Sequence, residues 1–451
     1  MVLNNYPLQG DLTGKKIWIH ALGCRTNQYE AEAIASMLSL KGAEITDNID
    51  DIDGAVLFSC TVTAAADRKC RQLSRRIKRH SPGSILIACG CWAQKLEASA
   101  SEELGIDVLL GSRNKSSIPA IFEHIFTYGQ NPDLIPDKDN IMNDHGWDPL
   151  FMEKPVLHTR AFLKVQDGCN HFCSYCIIPY VRGYPVSRDP EDILREAGQV
   201  VSGGCHEVVL TGVHLGLYEK YGSISLGDLV RRLSHIDGLW RIRFGSLEPF
   251  AVTDELLQAL SGVSSFCPHL HLPLQSGDDR ILEAMRRGYN ASDFLEVVRK
   301  VRHYLGEDVH ISTDVIAGFP GEDENAFENT LNVLEKAGLG KLHVFPFSPR
   351  QGTPAWDMDH TVPFEIIEQR VHRLLAHGEK SLAAYAGRWL KKPVRILVEE
   401  NNDNGFEGLT PEFIRVRASG KAEVNQIVIV RPSEMVSGEL MAPAFPDEKT
   451  S

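Results

Sequence analysis

Two hydrophobic patterns alternate over the first 128 residues. KKIWIHA, GAVLFS, SILIAC and DVLLG are apolar runs of strand length, while stretches such as NQYEAEAIASMLSL place apolar residues every three to four positions. Such alternation predicts a parallel sheet with helices packed on it. The pattern fades over residues 129–155, GQNPDLIPDKDNIMNDHGWDPLFMEKP, where Pro, Asn and Asp accumulate, and this stretch reads as a linker. It resumes with strand-like runs at RAFLKV, HEVVLTGV, RIRFGS, PHLHLPL, HISTDVI and LHVFPF, parted by helical segments such as PEDILREAGQVV and DFLEVVRKVRHYL. Six β/α units over residues 156–385 predict a partial (βα)6 barrel with its chemistry at the C-terminal strand ends. Beyond residue 386 the period shortens to two in VRILVEE, EFIRVRA and NQIVIV, separated by Gly, Asn and Pro. That predicts a small OB-like β-barrel over residues 386–445. The expected protein is α/β: a parallel α/β domain at 14–128, a linker, a partial barrel and a small β-barrel.

With 451 residues, 43% of them apolar, the chain can bury several cores. No window approaches the roughly 18 consecutive apolar residues of a membrane span, and MVLNNYPLQGDLTGKK lacks the apolar centre of an export signal. A cytoplasmic protein with no membrane partner is expected. In that reducing compartment ten cysteines point to metal or catalytic roles ahead of disulfides. The net charge of −13 excludes a protein that coats nucleic acid by bulk attraction. Local basic features remain. In ADRKCRQLSRRIKR, Arg68, Arg71, Arg75 and Arg79 recur at steps of three and four and would share one helical face. Such a face is equally often plain solvated surface. The C-terminal segment between residues 388 and 439 balances eight basic against eight acidic residues, so it is neutral within an acidic chain.

Six cysteines fall where chemistry is expected. Cys24, Cys60 and Cys91 each lie just past the end of a predicted parallel strand, and open parallel sheets bind ligands beyond those ends. Cys169, Cys173 and Cys176 stand in DGCNHFCSYC, spaced C-x-x-x-C-x-x-C after the first barrel strand. Three thiolates at that spacing can hold three irons of a 4Fe-4S cluster and leave the fourth open. The rival is zinc, with His171 inside the loop as a conceivable fourth ligand. Cys70, Cys205 and Cys267 read as small core residues. Cys89, two residues before Cys91, is an alternative ligand, although it ends the strand while Cys91 reaches into the loop.

The loop and barrel together resemble the radical S-adenosylmethionine superfamily, and longer stretches resemble one of its families, the methylthiotransferases, over nearly the whole chain. ALGCRTNQYEAEA is similar to the L-G-C-K-V-N-Q-Y-E opening of the MtaB-type branch, CTVTAAADRKCRQ to its C-T-V-T-x-x-A-D-R-K-x-R-Q run, and SPRQGTPA to its S-x-R-x-G-T-P-A signature. Ser59 and Phe58 depart from the family's N-T-C motif but leave the thiolate of Cys60 in place, and His214 occupies an Asn-like position in TGVH. The resemblance implies two 4Fe-4S clusters, an auxiliary one on Cys24, Cys60 and Cys91 and a radical one on Cys169, Cys173 and Cys176. It also implies a C-terminal TRAM domain that docks RNA, for which Phe406, Phe413, Arg415 and Arg417 are candidates, with core packing the expected role of at least one Phe.

For S-adenosylmethionine, the resemblance points to Tyr175, Thr211 and Gly212, and to polar residues at later strand ends: Ser246, Glu248, Gln275, Ser276, Asp314 and Gly318. Ordinary turn and capping roles are the plain reading of each. Two molecules of S-adenosylmethionine per turnover are implied, one cleaved to a 5′-deoxyadenosyl radical and one giving a methyl group. The implied reaction converts N6-threonylcarbamoyladenosine at position 37 of tRNA to its 2-methylthio derivative, with an electron-donor protein and a sulfur donor that the sequence does not identify. Arg350 is a candidate to meet the substrate's carboxylate, with a helix-capping or loop-bracing role as the alternative. The rivals are isopentenyladenosine tRNA or a ribosomal-protein aspartate as substrate, and an iron–sulfur protein that binds RNA without catalysis.

Overall fold

The computed structural model describes residues 11–132, 135, 136, 138, 141–402 and 404–443. Residues 1–10, positions 133, 134, 137, 139 and 140 of the expected linker, and positions 444 and 445 of the expected small barrel lie outside the described residues. The chain divides into two compact units. The first runs through Gly203 and also takes in Leu210–Ile224 and Ser348–Trp356; the second comprises Gly204–Val209, Ser225–Phe347 and the chain from Asp357 onward.

In the first unit, β1 (Lys16–Ala21), β2 (Glu44–Thr46), β3 (Gly54–Ser59), β4 (Ile85–Gly90) and β5 (Val108–Leu109) form one sheet in the order β2-β1-β3-β4-β5, every pair parallel. The parallel direction brings the C-terminal ends of β1, β3 and β4 to one edge. Helix α1 (Arg25–Leu40) follows β1, α2 (Ala64–His80) follows β3 and the short α3 (Cys91–Lys95) follows β4. The Thr63 hydroxyl caps α2 by accepting the Ala66 N–H. Cys70, Leu73 and Ile77 of α2 are buried against Trp18, Leu57, Leu86 and Trp92, each large side chain contributing about 1.5–3 kcal/mol. Helix α1 is buried on nearly all sides, including Asn27, Glu30 and Glu32, because it also packs on β6 (Ala161–Lys164). Several described residues of the stretch expected as a linker pack within the first unit. Ile141, Leu150 and Met152 are buried, the Leu150 carbonyl accepts the Tyr29 hydroxyl at 3.0 Å and the Met152 N–H donates to Glu196 at 2.6 Å. A two-stranded antiparallel ribbon, β7 (Gln166–Asp167) with β8 (Val186–Ser187), brackets the Cys169 loop.

β9 (Glu207–Thr211) gives its first three residues to the second unit and its last two to the first. In the second unit follow β10 (Arg241–Phe244), β11 (His269–His271), β12 (His310–Ala317) and β13 (Lys341–Pro346), with β11, β12 and β13 parallel and in order, and parallel bridges Ile242↔Phe266 and Ser246↔His271 beside β10. All six expected barrel strands are therefore formed. Helix Phe364–Gly387 packs on β12 and β13. The remaining chain forms β14 (Val394–Asn402), β15 (Gly405–Leu409), β16 (Arg415–Ala418), β17 (Ile427–Val430), β18 (Glu434–Val436) and β19 (Glu439–Ala442), a curled mixed sheet in the order β17-β14-β15-β16-β19-β18. Val394, Ile396, Val398, Ile414, Val416 and Leu440 make its core.

Candidate iron–sulfur and RNA site

Three thiols meet beyond the sheet edge of the first unit. Cys24 is the N-cap of α1, Cys60 directly follows β3, and Cys91 opens α3. Burial pushes the Cys60 thiol up to about 12, and its neighbours Cys91 and Cys24 push in the same direction. Burial also raises Cys91, opposed by Arg182, whose Nε donates to Cys91 Sγ at 3.2 Å. Gly23 has φ +89°, and a Cβ there would sit 2.6 Å from Cys60 Sγ, so only glycine lets the chain pass this close to the sulfur. Cys89 belongs elsewhere. It is fully buried, 3.8 Å from the Leu57 carbonyl, and the charged groups that act on it most are Lys115, Glu30, Asp148 and Arg182 rather than other thiols. Cys70 faces the core, 3.6 Å from the Cys60 carbonyl; Cys205 and Cys267 are buried too.

The second triad lies in the loop that starts at Asp167. The Asp167 carboxylate accepts the Gly168 N–H at 2.8 Å, the Cys169 N–H donates to the Gly183 carbonyl at 3.0 Å, and the His171 N–H points at Cys169 Sγ at 3.4 Å. The Cys176 N–H closes a turn on the Cys173 carbonyl at 3.0 Å. Gly168 has φ +74°, and a Cβ there would meet the Tyr184 carbonyl oxygen at 2.1 Å. The second triad is carried on tight turns with an N–H beside the Cys169 sulfur, and in the first the Arg182 Nε–H lies beside the Cys91 sulfur; donors of this kind accompany iron–sulfur thiolates. Among the described residues no three His, Cys, Asp or Glu side chains close on a point that one metal ion could occupy. A 4Fe-4S cluster has a different requirement, one thiolate for each of three separate irons.

A buried charged network lies behind these thiols. Glu30 is paired with Lys164 at 2.8 Å, Arg182 at 3.1 Å and Lys115 at 3.2 Å, and Asp167 with Arg113 and Arg182 at 3.0 Å and Lys164 at 3.1 Å. Burial alone would raise both carboxyls, yet the surrounding cations, Arg182 foremost for Glu30 and Lys164 for Asp167, hold both well below the ordinary carboxylate range. These groups escaped the sequence reading. The signal was the polar run NQYEAE on a helix that is otherwise apolar.

The residues expected to hold S-adenosylmethionine divide between the units. In the first, Tyr175 is half-buried, Thr211 is buried with its carbonyl on the Val165 N–H, and a Cβ at Gly212 would lie 2.9 Å from Gln166 Oε1. His214 is buried and donates its N–H to the same Gln166 oxygen at 2.8 Å. In the second, Ser246 is exposed, Gln275 takes φ +68° and bonds through its N–H to Asp314, and Asp314 Oδ1 lies 3.1 Å from His271 Nε2. Three others have structural partners. Glu248 pairs with buried Arg287, and the Ser276 hydroxyl is buried beside Thr330 and accepts the Asp278 N–H. Gly318 has φ +81° with Ile367 where its Cβ would be.

Arg350 takes the bracing arrangement, the alternative to a substrate contact: its Nη2 donates to Asp67 and Thr61, each at 2.6 Å, at the start of α2. Phe406 is buried in the C-terminal core, the role expected of at least one of the two Phe, and half-buried Phe413 stacks on His269 with centroids 4.8 Å apart and lies under Arg243. Arg415 and Arg417 pair with Glu407 and Glu439. Arg68, Arg71, Arg75 and Arg79 are all exposed on α2, opposite its buried face.

Residues 163–334 match the radical SAM superfamily, and residues 16–111 match the family described as uncharacterized protein family UPF0004. The chain is 36% identical over 420 residues to threonylcarbamoyladenosine tRNA methylthiotransferase MtaB of Bacillus subtilis, covering 91% of this chain and 92% of that one. It is 33% identical over 453 residues to a tRNA-2-methylthio-N(6)-dimethylallyladenosine synthase of Clostridium botulinum, covering 97% of each. The solved radical S-adenosylmethionine methyltransferase TsrM of Kitasatospora setae shares the fold at a TM-score of 0.56 and 12% identity, over 76% of this chain and 77% of that one. The chain belongs to the radical S-adenosylmethionine methylthiotransferases, as a transferase of the MtaB type that modifies tRNA.

Proposed function

We propose that the chain carries two 4Fe-4S clusters and installs a 2-methylthio group on N6-threonylcarbamoyladenosine at position 37 of tRNA. The observation that carries the two-cluster reading is the presence of two separate cysteine triads, Cys24, Cys60 and Cys91 beyond the sheet edge and Cys169, Cys173 and Cys176 in the loop after β6. When bound, the cluster of the second triad supplies one-electron cleavage of S-adenosylmethionine, which opens an adenine C–H bond inert to acids and bases. The protein's own residues hold the pieces in place. The His171 N–H supports the Cys169 sulfur, Arg182 faces Cys91, and Tyr175, Thr211 and Gly212, in or beside the Cys169 loop of the first unit, are candidates to hold S-adenosylmethionine. An electron-donor protein and a sulfur donor are further requirements.

The substrate reading rests on the MtaB-like stretches in both the N-terminal and barrel segments, and on chemistry at the barrel's inner face. The threonylcarbamoyl group carries a carboxylate, whereas isopentenyl is apolar. On β12 and β13 the register pairs Ser312 with Lys341 and Asp314 with His343, and the His271 ring meets His343 edge-on at 5.4 Å. With Arg350 held by Asp67, His271, His343 and Lys341 are the candidate donors to that carboxylate. A buried polar pocket rejects an apolar analogue strongly because its own groups would be left unpaired. We expect reconstituted enzyme to convert tRNA bearing threonylcarbamoyladenosine and to leave isopentenyladenosine tRNA unchanged, read by mass spectrometry of nucleosides. Equal turnover of both would overturn the substrate reading and leave the radical chemistry standing.

A further inference from the structure

We infer that Arg182 is a positioning residue that ties the Cys91 sulfur to the base of the Cys169 loop and raises the reduction potential of the cluster bound at Cys91. The inference rests on the reading of Cys24, Cys60 and Cys91 as cluster ligands. Arg182 ends the short helix Ile178–Arg182, which begins two residues after Cys176, and it is fully buried. Its guanidinium divides its donors among four partners. Nε reaches Cys91 Sγ at 3.2 Å, Nη1 reaches Asp167 at 3.0 Å and Glu30 at 3.1 Å, and Nη2 reaches Asn27 Oδ1 at 2.7 Å and Glu30 at 3.2 Å.

One side chain thus touches the ligand of one triad and the residue that launches the other. Asp167 Oδ1, which accepts from Arg182, also accepts the Gly168 N–H, and the carbonyl of the next residue, Gly183, accepts the Cys169 N–H. The chain cannot shift easily here. Gly183 has φ +74°, and a Cβ would lie 2.3 Å from the Ile141 carbonyl oxygen. Nor is charge balance a sufficient reason for this arginine. Lys164 and Lys115 already pair with Glu30, and Lys164 and Arg113 with Asp167. What those cations do not provide is a rigid fork with one arm on sulfur and the others on the two carboxylates. A charged donor on a ligating sulfur stabilises the more negative, reduced state of a cluster and so raises its potential.

The test uses the full chain, anaerobically reconstituted, as wild type, Arg182→Lys and Arg182→Gln, with iron content and redox titration followed by electron paramagnetic resonance. Lysine keeps a cation beside Glu30 and Asp167 but loses the fork. We expect Arg182→Lys to retain both clusters while the midpoint of the cluster at Cys91 shifts downward, further in Arg182→Gln, with the signal of the other cluster in S-adenosylmethionine unmoved. Release of 5′-deoxyadenosine per methylthiolated product should rise several-fold in both variants. An unmoved midpoint in iron-replete Arg182→Lys would overturn the inference. Should either variant fail to fold or to take up iron, Asn27→Ala, which leaves both ion pairs intact and removes one of the two acceptors of Nη2 together with the Asn27 bonds to the Leu22 and Ser59 carbonyls, should give a smaller shift in the same direction, and no shift there would overturn it equally. Wild-type protein that loads a single cluster would instead sink the two-cluster reading, so the two failures are distinguishable.

Discussion

At the scale of single residues, spacing reveals which side chains can reach a site, and only tertiary contact reveals what each one does there. Cys91 and Cys89 are chemically identical and two positions apart, yet β4 sends one thiol beyond the sheet edge beside Arg182 and the other into the core beside Leu57. The position of the strand end made that division legible in the sequence, since Cys89 lies within β4 and Cys91 just past it. Arg350 was not legible in the same way, because its partner Asp67 lies 283 positions away and no local pattern connects them. The cysteine pair gives a direct prediction. In reconstituted protein carrying about eight irons, Cys91→Ala should leave about four, since a cluster deprived of one of three thiolates is not retained. Cys89→Ala should keep about eight and cost about 1 kcal/mol in denaturant unfolding, the loss of a small buried group. Iron assay decides between them, and the reverse pattern would make Cys89 the ligand.

At the scale of elements, long periodic segments were readable and very short ones were not. α2 was visible as a helix with an arginine stripe because sixteen or so residues fix the period; β2, β7 and β8, of two or three residues each, carry too few positions to show one. The C-terminal sheet shows the same limit: three strands were readable, and the structure has six, the others short or broken by Gly. The stripe itself is costly, since like charges three and four residues apart repel. Arg68, Arg71, Arg75 and Arg79 nonetheless stand exposed on one helix of an acidic protein, which is how a phosphate-facing surface would be arranged. Replacing Arg71 and Arg75 with Ala should weaken tRNA binding and reduce the slope of log affinity against log salt by about 2. Thermal stability should hold or rise as the repulsion is relieved. Filter binding at several salt concentrations checks this, and an unaltered slope would return α2 to solvated surface.

At the scale of the whole molecule, the order of segments was legible and the way they are held was not. The C-terminal sheet reads in sequence as a separate small barrel, but within the second unit its strands β14 and β15 and the turn after β15 are gripped by barrel residues. Arg241 donates to the Leu409 and Arg395 carbonyls at 2.8 and 3.0 Å, Arg243 donates to the Pro411 carbonyl at 2.9 Å, and His310 Nδ1 meets the Glu412 carbonyl at 2.6 Å. Side chains that grip backbone carbonyls leave no trace in hydropathy, so the sequence does not show which residues hold the sheet. This grip makes attachment of the sheet sensitive to acid. Burial, first, and the nearby charges of Lys341, Arg243 and His343 push His310 down to about 3 from its ordinary 6.5, although the Glu412 carbonyl pulls the other way. His310 is therefore neutral in the fold, stacked on Tyr385 with centroids 4.5 Å apart and beside His269 at 5.1 Å. The unfolded chain takes up a proton there as pH falls below 6.5 while the folded chain does not, so stability decreases from 6.5 towards 3. Glu30 and Asp167, held low, lose their contribution only at lower pH, and Glu196 and Glu322, raised by burial, change in the opposite sense on acidification. His20 and His377 are depressed too and add to the loss. Urea unfolding of the full chain should show stability falling between pH 7 and 5. His310→Phe keeps the stacking and loses one hydrogen bond, a cost of about 1 kcal/mol at pH 8, but its stability should fall less steeply over the same range. Equal slopes for wild type and variant would place the acid sensitivity in some other group.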